Sequence, residues 1–552
     1  MKKILSVALV LIMMLSVFSI TASAEAVVMT GYYDAEINDL YYVFLEDEDS
    51  SEAYVVGYEA NLENIAPAGA ITIPKTVTYE GDEYTVTGIE NEAFYQSLFT
   101  SITLPDTISY IGDYAFSTCD YLENVDIPEA CHFDYFGMGV FLTTPFEAEI
   151  YSKDETIFGK NVLYAYTGSA DEYVIPEEIN ILANNCFFMS GVKSVVINEN
   201  ITEIPYYAFA SCRNLTSVDI PDNVEIISDG AFQDCTSLET VTLGEGVHSL
   251  GVDCFANTKI KSIHLGQAVY QITGAFRNCN TLETITIDAG NTALKTDGTA
   301  VYFKTNFVYD IDMDLGYMLE YYIPSKAQGT VKLPSDVYMI SAYAFYGCKD
   351  LKEVDAGTLV AIDEAAFANS GIEKLSATML MFVYDNAFRN CKNLTEINLL
   401  TATFIGAGAF ENCTSLTDVE FSSSIREIGG KAFANTGLTD VVIYGEDCYV
   451  EEGAFMNCQN LESARLEEGV YYVGMNAFLN CPKLETIYLS KTVKEFEDNA
   501  FNGCDNVTFQ VTKNTTAYKY IKNNTDFNFE VVGNYSLWQR ILDFFRSLFG
   551  LN

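Results

Sequence analysis

Apolar and polar positions alternate along this chain in a register that repeats. In Ala231-Phe232-Gln233-Asp234-Cys235-Thr236-Ser237-Leu238-Glu239-Thr240-Val241-Thr242-Leu243, an Ala-Phe pair is followed by Cys three residues after the Phe, Leu three further on, and a Val-x-Leu alternation. The Phe recurs at Phe94, Phe116, Phe187, Phe209, Phe232, Phe255, Phe276, Phe345, Phe367, Phe388, Phe410, Phe433, Phe455, Phe478 and Phe501, at separations of 21 to 23 residues apart from gaps of 71 and 69. A period of this length marks a solenoid. Both gaps are near three periods, so one array containing elongated turns is expected, not two domains.

Each repeat predicts the same elements. Leu215 to Ile220 alternates apolar with polar residues, as a short half-buried strand does. Pro221 or, one unit later, Gly244 stops it. Val224-Glu225-Ile226-Ile227 is a second extended piece, and a brief helical turn then carries Ala-Phe, the Phe filling the core. No unit can bury its apolar side alone, so stability must come from stacking. The expected fold is a repeat solenoid, a right-handed coil of about 22–23-residue turns with short parallel β-strands and short helical turns, capped at both ends.

The rest of the chain is read against this array. Residues 1–24 have the parts of a secretory signal peptide: Lys2 and Lys3, an apolar run from Ile4 to Ile20, and Ala22-Ser23-Ala24. Residues 25–78 read as an N-terminal cap and 79–510 as the solenoid, with irregular inserts near 129–171 and 288–328. Residues 511–533 read as a C-terminal cap, a helix from Asn514 to Asn524 and a strand from Phe527 to Val532. Residues 534–552 read as an amphipathic helix with Trp538, Ile541, Leu542, Phe544, Phe545 and Leu548 on its apolar face. That helix suits a peripheral membrane surface, a partner groove or self-association.

The formal charge is −47, and −49 once the two signal lysines are gone. Such a surface repels nucleic acid and anionic membranes, so no nucleic-acid partner is expected. Among 14 cysteines, ten (Cys119, Cys212, Cys235, Cys279, Cys348, Cys391, Cys413, Cys458, Cys481, Cys504) sit three after a repeat Phe. Repeats lacking Cys there have Ser97, Ser190, Thr258, Ser370 or Thr436. The position wants a small side chain with a hydrogen-bond donor, which predicts a buried column satisfying loop backbone groups and no disulfide framework. There is no Cys-x-x-Cys, and neither the acidic run Glu46 to Glu52 nor Asp310 to Asp314 matches an ion-binding loop, so no metal and no cofactor are expected. With three histidines and no catalytic fingerprint, an enzyme is not expected either.

Candidate binding residues follow from the outward strand positions, which should form a polar column along one face: Asp219, Thr242, His264, Thr286, Asn398, Glu420, Arg465 and Tyr488. The aromatics of the inserts, Phe133, Tyr135, Phe136, Phe141, Tyr321 and Tyr322, are a second candidate surface.

Units such as Leu215-Thr216-Ser217-Val218-Asp219-Ile220-Pro221 with Ala231-Phe232-x-x-Cys235, and the lead-in from Ile71-Thr72-Ile73-Pro74 to Tyr84-Thr85-Val86-Thr87-Gly88-Ile89, resemble the BspA-like, treponemal-type leucine-rich-repeat family over roughly residues 70 to 510. The resemblance implies a leucine-rich-repeat solenoid on an exported bacterial protein, and a secreted, extracellular or cell-surface location in a Gram-positive bacterium is expected. It also implies adhesion to a host or matrix protein or glycan, and no catalytic residues. The competing expectation is a structural surface component that assembles or is anchored through its C-terminal helix.

Overall fold

A computed structural model describes residues 33–46, 51–58, 68–304, 316–445, 447–497, 499–523 and 527–532. The chain divides into two compact units, residues 1–271 and 272–552. The signal segment, the acidic residues 47–50, Asp310 to Asp314 and the C-terminal helix lie outside the described residues.

In the first unit, Ser217–Asp219 pairs in parallel with Ser194–Val196 before it and Thr240–Thr242 after it. This register aligns Val195, Val218 and Val241, all buried. The chain turns after Ile220, and Ile226–Ile227 pairs in parallel with Glu203–Ile204 and Ser249–Leu250 to make a second sheet. Each coil therefore contributes one strand to each sheet.

The return segment is a run of hydrogen-bonded turns where a brief helical turn was expected. The N–H of Ala231, Gln233 and Cys235 donate three residues back, to Ser228, Gly230 and Phe232. The alternate N–H of Gly230, Phe232 and Asp234 donate instead to Val252, Cys254 and Ala256 of the next coil at 2.9, 2.7 and 2.9 Å. The switch is set by the residue two after the Phe, Asp234 at φ 60° or Asn257, Asn369, Asn390 and Asn412 at φ 60° to 65°. Asn and Asp tolerate the left-handed region better than other side-chain-bearing residues.

Phe232 lies 5.0 Å from Phe209 and 5.4 Å from Phe255, centroid to centroid, with nearly parallel rings. The thiol beside it has the role the spacing predicts. Cys235 donates to the carbonyl oxygen of Phe209 in the previous coil at 3.0 Å, and Cys119 and Cys212 donate likewise to Phe94 and Phe187. All 14 cysteines are free and buried. Burial pushes the thiols of Cys119, Cys348 and Cys391 up to about 12. Burial likewise raises Cys235.

The first long gap conceals further coils. Phe141 stacks on Phe116 at 5.5 Å, and Thr144, three residues on, is buried and donates to the Phe141 carbonyl at 2.7 Å. This is the repeat with Val140 in place of Ala and Thr144 in place of Cys. A helix, Pro145–Ile150, starts at the Thr144 N-cap. The hairpin Glu155–Phe158 and Val162–Tyr166 then pairs in parallel with Ile181–Leu182 to make a three-stranded sheet. At the N-terminal end, the antiparallel strands Ala35–Ile37, Leu40–Glu46 and Ser51–Tyr58 join the same kind of sheet through parallel pairing with Asp82–Ile89.

The second unit repeats the plan. Antiparallel strands Leu294–Thr296, Ala300–Lys304 and Tyr317–Tyr322 lead into a parallel sheet running from Val337–Ile340 to Glu495–Phe496. Tyr322 takes the repeat Phe position, 4.9 Å from Phe345. The ring column continues through Phe367, Phe388, Phe410, Phe433, Phe455 and Phe478 to Phe501 at 4.9 to 5.7 Å. The helix Thr516–Asn523 buries Ala517 and Ile521 against its end, and Asn528–Val532 pairs in parallel with Thr508–Thr512.

One buried acid interrupts this core. Glu320 accepts from the Thr273 hydroxyl at 2.6 Å and the Ser341 hydroxyl at 2.8 Å. Burial raises its pKa; the two hydroxyls oppose that, and the half-buried Asp363 adds to it. An acid whose folded pKa is raised binds its proton more tightly when folded, so the stability it contributes is present at low pH and is lost as pH rises through the folded value. The parent protein is expected to melt at a higher temperature at pH 5 than at pH 8, and Glu320→Gln to narrow that difference by raising the pH 8 value. Melting curves at the two pH values would refute this if parent and variant shifted in parallel.

Candidate functional site

The outward column of the long sheets forms as a register but offers little relief. Val174, Val196, Asp219 and Thr242 are aligned in one unit, and Val442, Arg465, Tyr488 and Gln510 in the other. Asp219, Thr242, His264, Thr286, Asn398 and Glu420 are exposed. Tyr488 is not: only 5% of it reaches solvent, because the Arg465 guanidinium lies 4.7 Å from its ring centre. Arg465 is in turn bonded to the buried Glu467 at 2.7 Å. Both side chains are thus committed to each other and to Glu467.

The insert aromatics are largely core. Phe133, Phe136 and Phe141 are buried in a cluster with Phe158 and Tyr164, and Tyr321 and Tyr322 are buried in the second unit. A side chain without surface cannot meet a ligand unless the core opens, so these five leave the candidate site. Tyr135 remains, 42% exposed on the outer side of the second sheet.

The corresponding side of the second unit carries aromatics too, Tyr449 exposed and Phe382, Phe404 and Tyr472 half-buried. In the second unit, the strands Phe382–Val383, Phe404–Ile405, Glu427–Ile428, Cys448–Val450 and Val470–Val473 pair in parallel. Val383, Ile405, Ile428, Val450 and Val473 point into the core. Phe382, Phe404, Glu427, Tyr449 and Tyr472 therefore form one outward column. Strands are spaced about 4.8 Å apart, so the rings of Phe404 and Tyr449 stand about 10 Å apart with Glu427 on the floor between them. The result is an open groove of about 520 Å³ lined by Phe382, Thr403, Phe404, Arg426, Glu427, Asp447 and Tyr449.

The groove combines two apolar walls with opposite charges. The spacing of about 10 Å between the two ring positions leaves room for one group as thick as a sugar ring. Burial, then Glu451 and Asp385, raise the pKa of Glu427. Neither Arg426 nor Glu427 makes a side-chain hydrogen bond or ion pair among the described residues. Elsewhere on the unit, cations such as Lys352 and Lys374 are already paired, with Glu373 and Glu396 at 2.5 and 2.7 Å. The sequence carries the signal in Met381-Phe382-Val383, Thr403-Phe404-Ile405 and Cys448-Tyr449-Val450, where the ring precedes the buried residue of the second extended piece.

Comparison with known proteins agrees with this architecture. No curated protein matches the chain. Among solved structures it is similar to a leucine-rich cell surface protein from Faecalibacterium prausnitzii, at 24% identity over 88% of this chain and 96% of that one, TM-score 0.32. It is also similar to a leucine-rich repeat protein from Eubacterium ventriosum, 24% identical over 65% and 91% of the two chains, TM-score 0.45. The pneumococcal vaccine antigen PcpA is similar at 17% identity over 90% and 98%, TM-score 0.34. The family model described as a BspA type leucine rich repeat region of six copies matches residues 87–216, 156–283, 324–402 and 381–508. With more than half of its length matched in this way, the chain belongs to the BspA-type leucine-rich-repeat family.

Proposed function

We propose that this chain is an exported, surface-associated bacterial binding protein, adhesin-like, that holds part of a host or matrix protein or glycan in the groove between Phe404 and Tyr449. Family membership supports the coarse reading, since stacked repeats present extended surfaces that serve as binding scaffolds. The observation that carries the finer one is the pair of ring walls flanking unpaired Arg426 and Glu427.

The test is binding of the purified chain to a panel of matrix proteins, mucins and polysaccharides. Phe404→Ser with Tyr449→Ser is expected to weaken a saturable interaction at least tenfold, about 1.4 kcal/mol. Changing Asp219 and Thr242 on the long sheet is expected to leave it within twofold. The opposite pattern would move the site to the long sheet, and circular dichroism of each variant checks that the fold is kept.

A further inference from the structure

The N-terminal sheet of the first unit carries a different surface. Tyr54, Gly88, Tyr110 and Tyr135 lie in register on successive strands. Gly88 leaves room for the Tyr54 ring, since a Cβ there would come within 2.5 Å of it. Tyr54 can thus reach past it to lie 5.4 Å from Tyr110, which lies 5.1 Å from Tyr135. The three rings make a strip about 10 Å long, the span of about three residues of extended chain.

Carboxylates stand near each ring of the strip, and Asp113 accepts from the Tyr135 hydroxyl at 2.8 Å. Glu52, Glu90 and Asp134 act on Tyr54, Glu90 and Asp113 on Tyr110, and Asp113 and Glu203 on Tyr135, each raising the tyrosine pKa after the larger effect of burial. The surrounding sequence is equally one-sided. From residue 25 to residue 152 it holds 25 acidic residues and one basic residue, Lys75, which is bonded to Asp106 at 2.7 Å. No lysine or arginine of this stretch is left to neutralise the strip from within.

We infer that the Tyr54–Tyr110–Tyr135 strip is a docking surface for an extended, Lys- or Arg-rich polypeptide segment. The alkyl stems of the incoming side chains lie along the tyrosine rings, and their cationic heads meet Glu90, Asp113 and Asp134. A polypeptide fits better than a free amine because the strip repeats one recognition element three times along the direction of an extended chain. This surface is separate from the Phe404–Tyr449 groove, so the two readings fail independently.

The experiment uses the full chain and three probes: a labelled decapeptide alternating Arg and Ser, one alternating Glu and Ser, and spermine. Fluorescence anisotropy is expected to show saturable binding of the Arg peptide alone, weaker at 300 mM than at 50 mM salt. Glu90→Gln with Asp134→Asn should weaken it at least tenfold. Tyr110→Ser, which changes no charge, should also weaken it. Asp120→Asn with Glu123→Gln, an equal charge change on the turn leading to the long sheet, should leave it within twofold. Phe404→Ser with Tyr449→Ser should leave it unchanged. Equal losses from the two charge-neutralising pairs would show diffuse attraction and overturn the proposal. Spermine displacing the peptide at equal concentration would overturn it in favour of a polyamine site. Melting curves confirm that each variant is folded.

Discussion

Phe410→Ala is expected to destabilise the second unit by about 3–5 kcal/mol, the usual cost of emptying a fully buried phenylalanine site. Phe410 has no exposed surface and stands between Phe388 and Phe433 at 5.2 and 4.9 Å. Its removal leaves two ring faces without a partner as well as a cavity. The backbone around it cannot close the gap, because the Phe410 N–H is held by the Ala432 carbonyl at 2.7 Å and the Phe388 N–H by Ala409 at 2.7 Å. In a repeat stack each coil is stabilised by its neighbours, so a weak coil in mid-array should also broaden the transition. Urea unfolding followed by circular dichroism measures both effects, and a loss below about 1 kcal/mol would show that the stack repacks freely.

Gly469→Ala should cost at least as much, for a different reason. Gly469 has φ 104°, a region that a side-chain-bearing residue rarely occupies. A Cβ there would stand 1.5 Å from the Gly445 carbonyl oxygen of the preceding coil. The obstacle is backbone, so no rotamer change relieves it. The coils must part locally, at the expense of the bonds from the Cys448 N–H to Gly469 (2.8 Å) and from the Gly469 N–H to the Thr492 hydroxyl (3.0 Å). A loss of about 3 kcal/mol or more is expected in the same unfolding experiment. Normal stability of Gly469→Ala would show that the close approach of these coils is not required.

The contrast between these two positions shows what could be read along the chain. Phe410 belongs to a column that the period reveals directly, together with its cysteine three residues on and its alternating strand. Phe141 in the first unit and Tyr322 in the second take the same repeat position but were hidden, because Val140 replaces the Ala in one and a tyrosine replaces the Phe in the other. They looked like loop aromatics and are core. The groove was harder to see, for a reason of length. Strands such as Phe404–Ile405 and Glu427–Ile428 have two residues, one inward and one outward, so no alternation marks them. Their outward residues become a surface only when the register lines up Phe382, Phe404, Glu427 and Tyr449 from four separate coils. Tyr488 failed as a candidate for a related reason: its strand position was right, but Arg465, one coil away, folds over it to reach Glu467.

The thiol column also gives the molecule a kinetic asymmetry. In the folded chain each sulfur is sealed in the core and most are engaged with a carbonyl one coil away, so oxidants have no access to them. Once the chain opens, its 14 thiols become accessible, and an external disulfide or other two-electron oxidant can take up their electrons and protons and join them in pairings that the stack has no room for. Unfolding is then reversible only where a reductant is present. In oxidising surroundings the barrier to the first opening, and not the equilibrium stability, sets how long the protein survives.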